Sequence, residues 1–308
     1  MIKKILLFLA FVVLALQLFF MQHNKQVKTH KKPVVCVSTF AISDITNHIA
    51  KDKIEVVNIL PYGVSPHSFE PTPKLMIKIE KSALVIYNGS GLEPWTKGFH
   101  FPKNSLDLSK YVKLQIQTKH HHKEVHHDEH HHSLYNPHYW LYIDNMVIAT
   151  NVITDALIKI LPKEKQFFLQ NKKAYITMLQ NLKKEYASHL FSCKKDTLIT
   201  HHDAFFYLAK KYHFKTKTLS GISPQALPSA KKITELMQLI NQEHIHTIFF
   251  ESFASDKVIK SIAKDTHIDV EVLHPLGNIT ANQAKQHLTY KDIMEENLQK
   301  ISKALECQ

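Results

Sequence analysis

Arginine is absent from these 308 residues, so the formal charge of +12 is carried by lysine alone. Proteins that read nucleic acids rely on the flat, two-pronged guanidinium for guanine edges and phosphates. The lysines here are also scattered rather than gathered into a tract, and no nucleic-acid partner is expected. Glycine is scarce, with six residues in all. None of them falls in a G-x-G-x-x-G or G-K-[ST] pattern, which excludes the usual backbone cradles for nucleotide phosphates. No H-E-x-x-H run is present, which removes the common helical zinc-protease signature. Cysteine is limited to Cys36, Cys193 and Cys307, without C-x-x-C spacing. An oxidising compartment allows one disulfide, and Cys193–Cys307 is the expected pair because both lie in the second half of the chain. Cys36, inside the apolar run from Val34 to Val37, reads as a small core residue.

Histidine is abundant, with 23 residues. The chain begins with Lys3 and Lys4 followed by an apolar run from Ile5 to Met21, broken only by Gln17. Residues 1–21 therefore read as a signal peptide, or as an N-terminal membrane anchor at the short end of a span. In either case the remainder is placed outside the cytoplasm, in a periplasmic or extracytoplasmic setting and tethered if the segment is retained.

Short apolar runs then alternate with amphipathic stretches. Strands are expected at 34–38, 54–60, 83–87, 197–200, 216–219, 246–250 and 268–273. Helices are expected at 40–50, 73–81, 143–160, 204–212, 229–241, 255–264 and 290–306. This alternation predicts an α/β fold of two lobes, each a mainly parallel sheet flanked by helices. The N-terminal lobe spans 34–163 and the C-terminal lobe 195–308. Between them, residues 164–190 contain no proline or glycine and predict one long rigid helix of about 40 Å. Residues 117–133 carry eight histidines and almost no apolar side chains. Such a segment cannot bury enough surface to fold and is read as a disordered loop. Its accessory task would be weak metal capture by His120, His121, His122, His126, His127, His130, His131 and His132.

Several chemistry-bearing residues share one position in this alternation. His67, His202, Glu251 and His274 each follow an expected strand within a few residues, and His138 occupies a comparable loop beside Pro137. Residues at the carboxyl edges of parallel strands gather at one rim, where α/β proteins bind ligands. Two such rims facing each other would place a metal site in the cleft between the lobes.

The motifs around these residues sharpen that expectation. Pro66-His67-Ser68-Phe69-Glu70-Pro71-Thr72-Pro73 resembles the PHx[YF]EPTP signature of the metal receptors of ABC importers. Asn136-Pro137-His138-Tyr139-Trp140-Leu141 resembles their DPHxWLD segment. His202-Asp203-Ala204-Phe205-Phe206-Tyr207-Leu208-Ala209 is similar to HDAFxYLA, Gly221-Ile222-Ser223-Pro224-Gln225 to GISPQ, and Leu273-His274-Pro275-Leu276-Gly277 to LDPLG. Five matches in family order, covering about residues 34–305, resemble the zinc/manganese group of extracytoplasmic solute-binding proteins (cluster A-I), and most of all its zinc-specific periplasmic members.

That resemblance implies a non-catalytic receptor that captures Zn2+ and delivers it to an ABC-type zinc permease, working as a monomer. It assigns His67, His138 and His202 as metal ligands. His274 stands where manganese-type members have a ligating aspartate. A fourth imidazole would suit Zn2+ better than Mn2+, so His274 is the expected fourth ligand, with Glu251 or water as the alternatives. Glu70 and Asp203 are candidates to orient the ligand rings. An exported zinc-dependent hydrolase with Glu251 as base, or a metal-binding surface adhesin, would use the same residues.

Overall fold

The computed structural model describes residues 17, 32–116, 134–222, 224–226, 228–251 and 257–308. The expected leader and the histidine-rich segment 117–133 lie outside the described residues, and with them every one of the accessory histidines.

Two four-stranded parallel sheets form the frame. In the first, β1 (Val34–Val37), β2 (Glu55–Asn58), β3 (Leu84–Tyr87) and β4 (Ser105–Asp107) run in the order β2-β1-β3-β4. In the second, β5 (Thr197–Thr200), β6 (Lys215–Thr218), β7 (Thr247–Phe250) and β8 (Asp269–Val272) repeat that order as β6-β5-β7-β8. Parallel neighbours need helical crossovers. Five of the helices are α1 (Phe40–Ala50), α2 (Pro73–Glu80), α3 (Ile143–Ile160), α4 (Lys165–His189) and α5 (Phe206–Tyr212). Also among the described residues are α6 (Ala230–Gln242), α7 (Lys257–Thr266), α8 (Ala281–Lys285) and α9 (Tyr290–Ala304).

The alternation of side chains explains why the inner strands β1, β3, β5 and β7 are so apolar, whereas the edge strands β2, β6 and β8 carry charged side chains. Val35 and Val37 of β1 enter the main core, whereas Cys36 between them enters a smaller cluster with Ile59, Ile79, Val85 and Trp95 on the other face. In β5, Leu198 joins the main core and Ile199 a separate cluster with Leu219, Leu236 and Ile248. Each sheet is thus covered on both sides, and a strand buried on both faces has no polar side to show. The main core is continuous between the halves. It includes Ile42, Ile45 and Trp140 from the first and Phe205, Phe249 and Tyr290 from the second.

Helix α4 is the long element between the sheets, 25 residues or about 37 Å. Its buried residues Phe168, Tyr175, Leu179, Leu182 and Tyr186 recur at helical spacing and form one stripe. Neighbours on that stripe are α3 and α1 from the first half and α9 from the second. Buried hydroxyls on it find partners: Tyr175 donates to Asp44 Oδ2 at 2.6 Å and Tyr186 to the Met294 carbonyl at 2.7 Å. The Cys193–Cys307 disulfide forms as expected and ties the segment after α4 to the chain's end, while Cys36 is free and buried. β4 and α8 escape sequence reading because three and five residues are too short to show a period.

Candidate metal centre

Local sequence explains how each histidine is presented. His67 lies between β2 and α2, in a loop ended by Thr72, which caps α2 by accepting the Leu75 N–H, with Pro73 at the first helical position. His138 precedes a single 3-10 turn, Tyr139–Leu141, whose side chains are all buried. His202 follows β5 directly, at the start of the turn Asp203–Phe205 that leads into α5.

The fold brings these three rings together. His138 Nε2 is 3.1 Å from His67 Nε2 and 3.1 Å from His202 Nε2. His138 and His202 are buried and His67 is partly buried. Glu251, just past β7, closes the group from the second sheet and is itself buried.

The partners of the other ring nitrogens fix the tautomers. Asn136 Oδ1 accepts the His138 backbone N–H at 3.0 Å and lies 2.9 Å from His138 Nδ1. An oxygen there requires the proton on Nδ1, which leaves a lone pair on Nε2. Asn136 is locked in that orientation because its Nδ2 donates to the Asp203 carbonyl at 2.7 Å. His202 Nδ1 meets the Glu251 carboxylate, so His202 Nε2 also carries a lone pair. When His202 is neutral, as a metal ligand must be, two nitrogen lone pairs face each other at this distance.

Burial keeps His67 and His138 neutral. Burial pushes the His67 pKa down to about 3, with the neighbouring His202 acting in the same direction. Burial likewise holds His138 well below its ordinary value, helped by His202 and His67. Glu251 is driven up by burial, but His202 and His201 outweigh that and bring it down to about 2, so it is an anion. Neutral imidazoles backed by a carboxylate are competent metal ligands.

His274 stands apart from this group. Its Nδ1 accepts the Leu276 N–H at 3.0 Å, and its backbone is bound in both directions by Asn297, at 2.9 and 2.7 Å. Among the described residues it belongs to no cluster of ligand atoms, whereas His67, His138 and His202 form one. Burial takes its pKa to about 4 despite opposing contributions from Gln283 and Glu251. Of the two expected orienting residues, Glu70 is exposed, and Asp203 enters only by way of Asn136. Asn136 and Glu251 orient the rings instead. A polar residue two positions before His138 was the available signal for the first. For the second, the sequence showed only a carboxylate at a strand end.

His201 was also overlooked. It is buried beside its neighbour, with Nδ1 3.8 Å from Glu251 Oε1. It forms a second group of potential ligand atoms with His202 and Glu251. The cavity in front of the three rings, lined further by Trp140, Pro275, Gly277 and Asn278, holds about 20 Å3, room for an ion or a water rather than an organic solute.

Comparison with known proteins adds an independent line. A family model described as "ZnuA: Zinc-uptake complex component A periplasmic" matches residues 35–304. The chain is 33% identical over 277 residues to the high-affinity zinc uptake system protein ZnuA of Bacillus subtilis, covering 88% of this chain and 87% of that protein. It is 30% identical over 314 residues to the zinc-binding lipoprotein AdcA of Streptococcus pneumoniae, covering 97% of this chain but only 60% of AdcA. Among solved structures, the Zn(II)-bound ZnuA-like domain of Streptococcus pneumoniae AdcA superposes with a TM-score of 0.75 at 27% identity, covering 90% of this chain and 100% of that one.

Proposed function

This chain belongs to the periplasmic zinc-uptake component A family, and we propose that it is an extracytoplasmic receptor that captures Zn2+ between its two sheets and hands it to an ABC permease. Proteins of this family are solute-binding receptors, not enzymes, and serve zinc uptake with a membrane permease. The particular permease, a monomeric state and tethering by residues 1–21 are part of the proposal, as is the division into lobes at 34–163 and 195–308 with 164–190 between them.

One observation carries the reading: His138 Nε2 and His202 Nε2 are aimed at each other 3.1 Å apart, and in neutral rings both carry lone pairs. Tetrahedral Zn2+ with bonds of 2.0–2.1 Å to nitrogen separates its ligand atoms by about 3.3 Å, close to that spacing. A cation relieves the repulsion that the bare pair would suffer. We propose His67, His138 and His202 as the three ligands and a water as the fourth. His274 is assigned outside the first coordination shell because its Nδ1 accepts the Leu276 N–H, which puts the neutral ring's proton on Nε2 and leaves no lone pair there for a metal. Glu251 orients His202 and compensates the charge of the cargo. The histidines of 120–132 are proposed as exchangeable collectors that raise the local metal concentration.

The small cavity in front of the rings favours an ion over an ester or peptide substrate, which argues against the hydrolase alternative. The test is calorimetric titration of metal-free protein with Zn2+, run alongside peptidase and esterase assays on the loaded form. One tight equivalent without turnover is expected. Deletion of residues 120–132 should keep that equivalent and lower total stoichiometry. Turnover, or the absence of a tight site, would overturn the proposal.

A further inference from the structure

The segment Pro275–Thr280, just after β8, contains residues that the zinc site itself does not use. It crosses from the second half of the chain to the first and touches the loops that carry both first-half imidazoles. Trp140, two residues after His138, donates its indole N–H to the Pro275 carbonyl at 2.8 Å. The Gly277 carbonyl accepts the Phe40 N–H at 3.1 Å. Gly277 packs so tightly that an added Cβ would lie 3.3 Å from Pro66 Cγ, on the residue just before His67.

Asn278 makes the densest of these contacts. Its side chain is buried, and its Nδ2 donates both hydrogens, to the Pro61 carbonyl at 2.7 Å and the Val64 carbonyl at 2.8 Å. Its Oδ1 accepts the Ile279 N–H at 2.8 Å, which fixes the amide's orientation. The Ile279 carbonyl in turn accepts the Gly63 N–H at 3.0 Å. The target is a tight turn, 61–64, closed by Val64 N–H to the Pro61 carbonyl at 3.3 Å, with Gly63 at φ +80°. That φ is one glycine adopts without steric cost, as the third residue of a type II turn requires. The turn leads directly into Ser65-Pro66-His67.

We infer that Asn278 is a positioning residue for His67: it holds the 61–64 turn from across the cleft and so sets where the His67 imidazole meets the other two. The inference rests on the proposed zinc site. His138 has Asn136 and His202 has Glu251 to orient its ring. Among the described residues, the bonds that place His67, apart from the contact of its Nε2 with His138, are to the backbone: a weak 3.3 Å bond from its N–H to Ser65 Oγ and the cross-cleft clamp on the preceding turn. The strap therefore does for His67 what a direct partner does for the other two.

A double-mutant cycle in zinc affinity tests this, read by competition with a chelator. Asn278→Ala is expected to weaken zinc binding about tenfold in the otherwise native chain, the usual scale for an orienting partner. In a His67→Ala background the same change should cost less than about twofold, because no ring is left to position. Asn278→Asp keeps the acceptor and loses both donors, and should behave like the alanine variant. If Asn278→Ala destabilises the fold, as a thermal melt of the metal-free form would show, Gly277→Ala, which presses on Pro66, replaces it in the cycle with the same coupling expected. Equal losses in both backgrounds, or no loss in the native one, would overturn the inference while leaving the zinc site standing. A His67→Ala variant with native affinity would remove His67 from the site and sink both.

Discussion

The two halves of this chain share one strand order yet secure their imidazoles by different means. In the second half, His202 follows the central strand β5 and its ring is held by Glu251 at the end of β7, which pairs with β5 in the same sheet. Ligand and support therefore ride on neighbouring strands of one rigid element. In the first half, His67 and His138 lie on loops outside the sheet, and the contacts that hold those loops come largely from the other half: Asn278 to the turn before His67, Pro275 to Trp140, and the Asp203 carbonyl to Asn136. A site built this way has one preorganised corner and two corners that depend on the halves staying together.

The largest expected effect is on the metal-free protein in acid. His67 is held at about 3, His274 at about 4 and His138 well below its ordinary value, chiefly by burial. Unfolding returns each ring to its ordinary pKa of about 6.5. Below that pH the unfolded chain takes up protons that the folded chain refuses, so stability falls as pH drops from about 6.5 towards 4. Each refused proton contributes up to about 1.4 kcal/mol per pH unit. Urea unfolding of apo protein at pH 7, 5.5 and 4.5 checks this, and a flat profile would show that the rings are not buried as described. Saturating zinc should raise the whole curve without removing this slope, because burial already keeps these rings unprotonated in the folded chain.

Next comes the loss of a single imidazole. His138→Ala should cost the most, because its Nε2 faces both other rings, with an expected loss of about 100-fold or more in zinc affinity, some 2.8 kcal/mol. His202→Ala should follow closely. Native affinity after either change would break the proposed three-imidazole site. Glu251→Gln keeps an acceptor for His202 Nδ1 but removes the charge, and a loss of about tenfold is expected. A larger loss would recast Glu251 as a ligand and make the two halves more alike than they look. The smallest effect belongs to His274→Ala, which should change zinc affinity less than about threefold, because a residue outside the first shell contributes no metal bond. A drop comparable to His202→Ala would return His274 to the coordination sphere.

Much of this molecule was legible in its sequence. Long periodic stretches such as 143–160 and 165–189 declared themselves, as did the strands buried on both faces, because an apolar run of four has no other stable home. The position of His67, His138 and His202 after strands or in comparable loops, with the motifs around them, marked out the three imidazoles that the fold draws together. Asn136 and Glu251 were harder to read: a side-chain partner is chosen by distance and tautomer, and neither is written in a one-dimensional order. Asn278 was invisible for the same reason, since its two acceptors lie more than 200 positions away.

Composition and spacing by themselves pointed to the α/β class and to the long helix between two repeated halves. Both follow from local periodicity and side-chain chemistry. Only the tertiary structure decided which four of the strand-end groups converge, that His274 turns its Nδ1 to Leu276 instead, and that a strap from one half supports a histidine of the other. Those outcomes depend on how two sheets pack across a shared core, where a shift of one or two ångströms separates a ligand from a bystander.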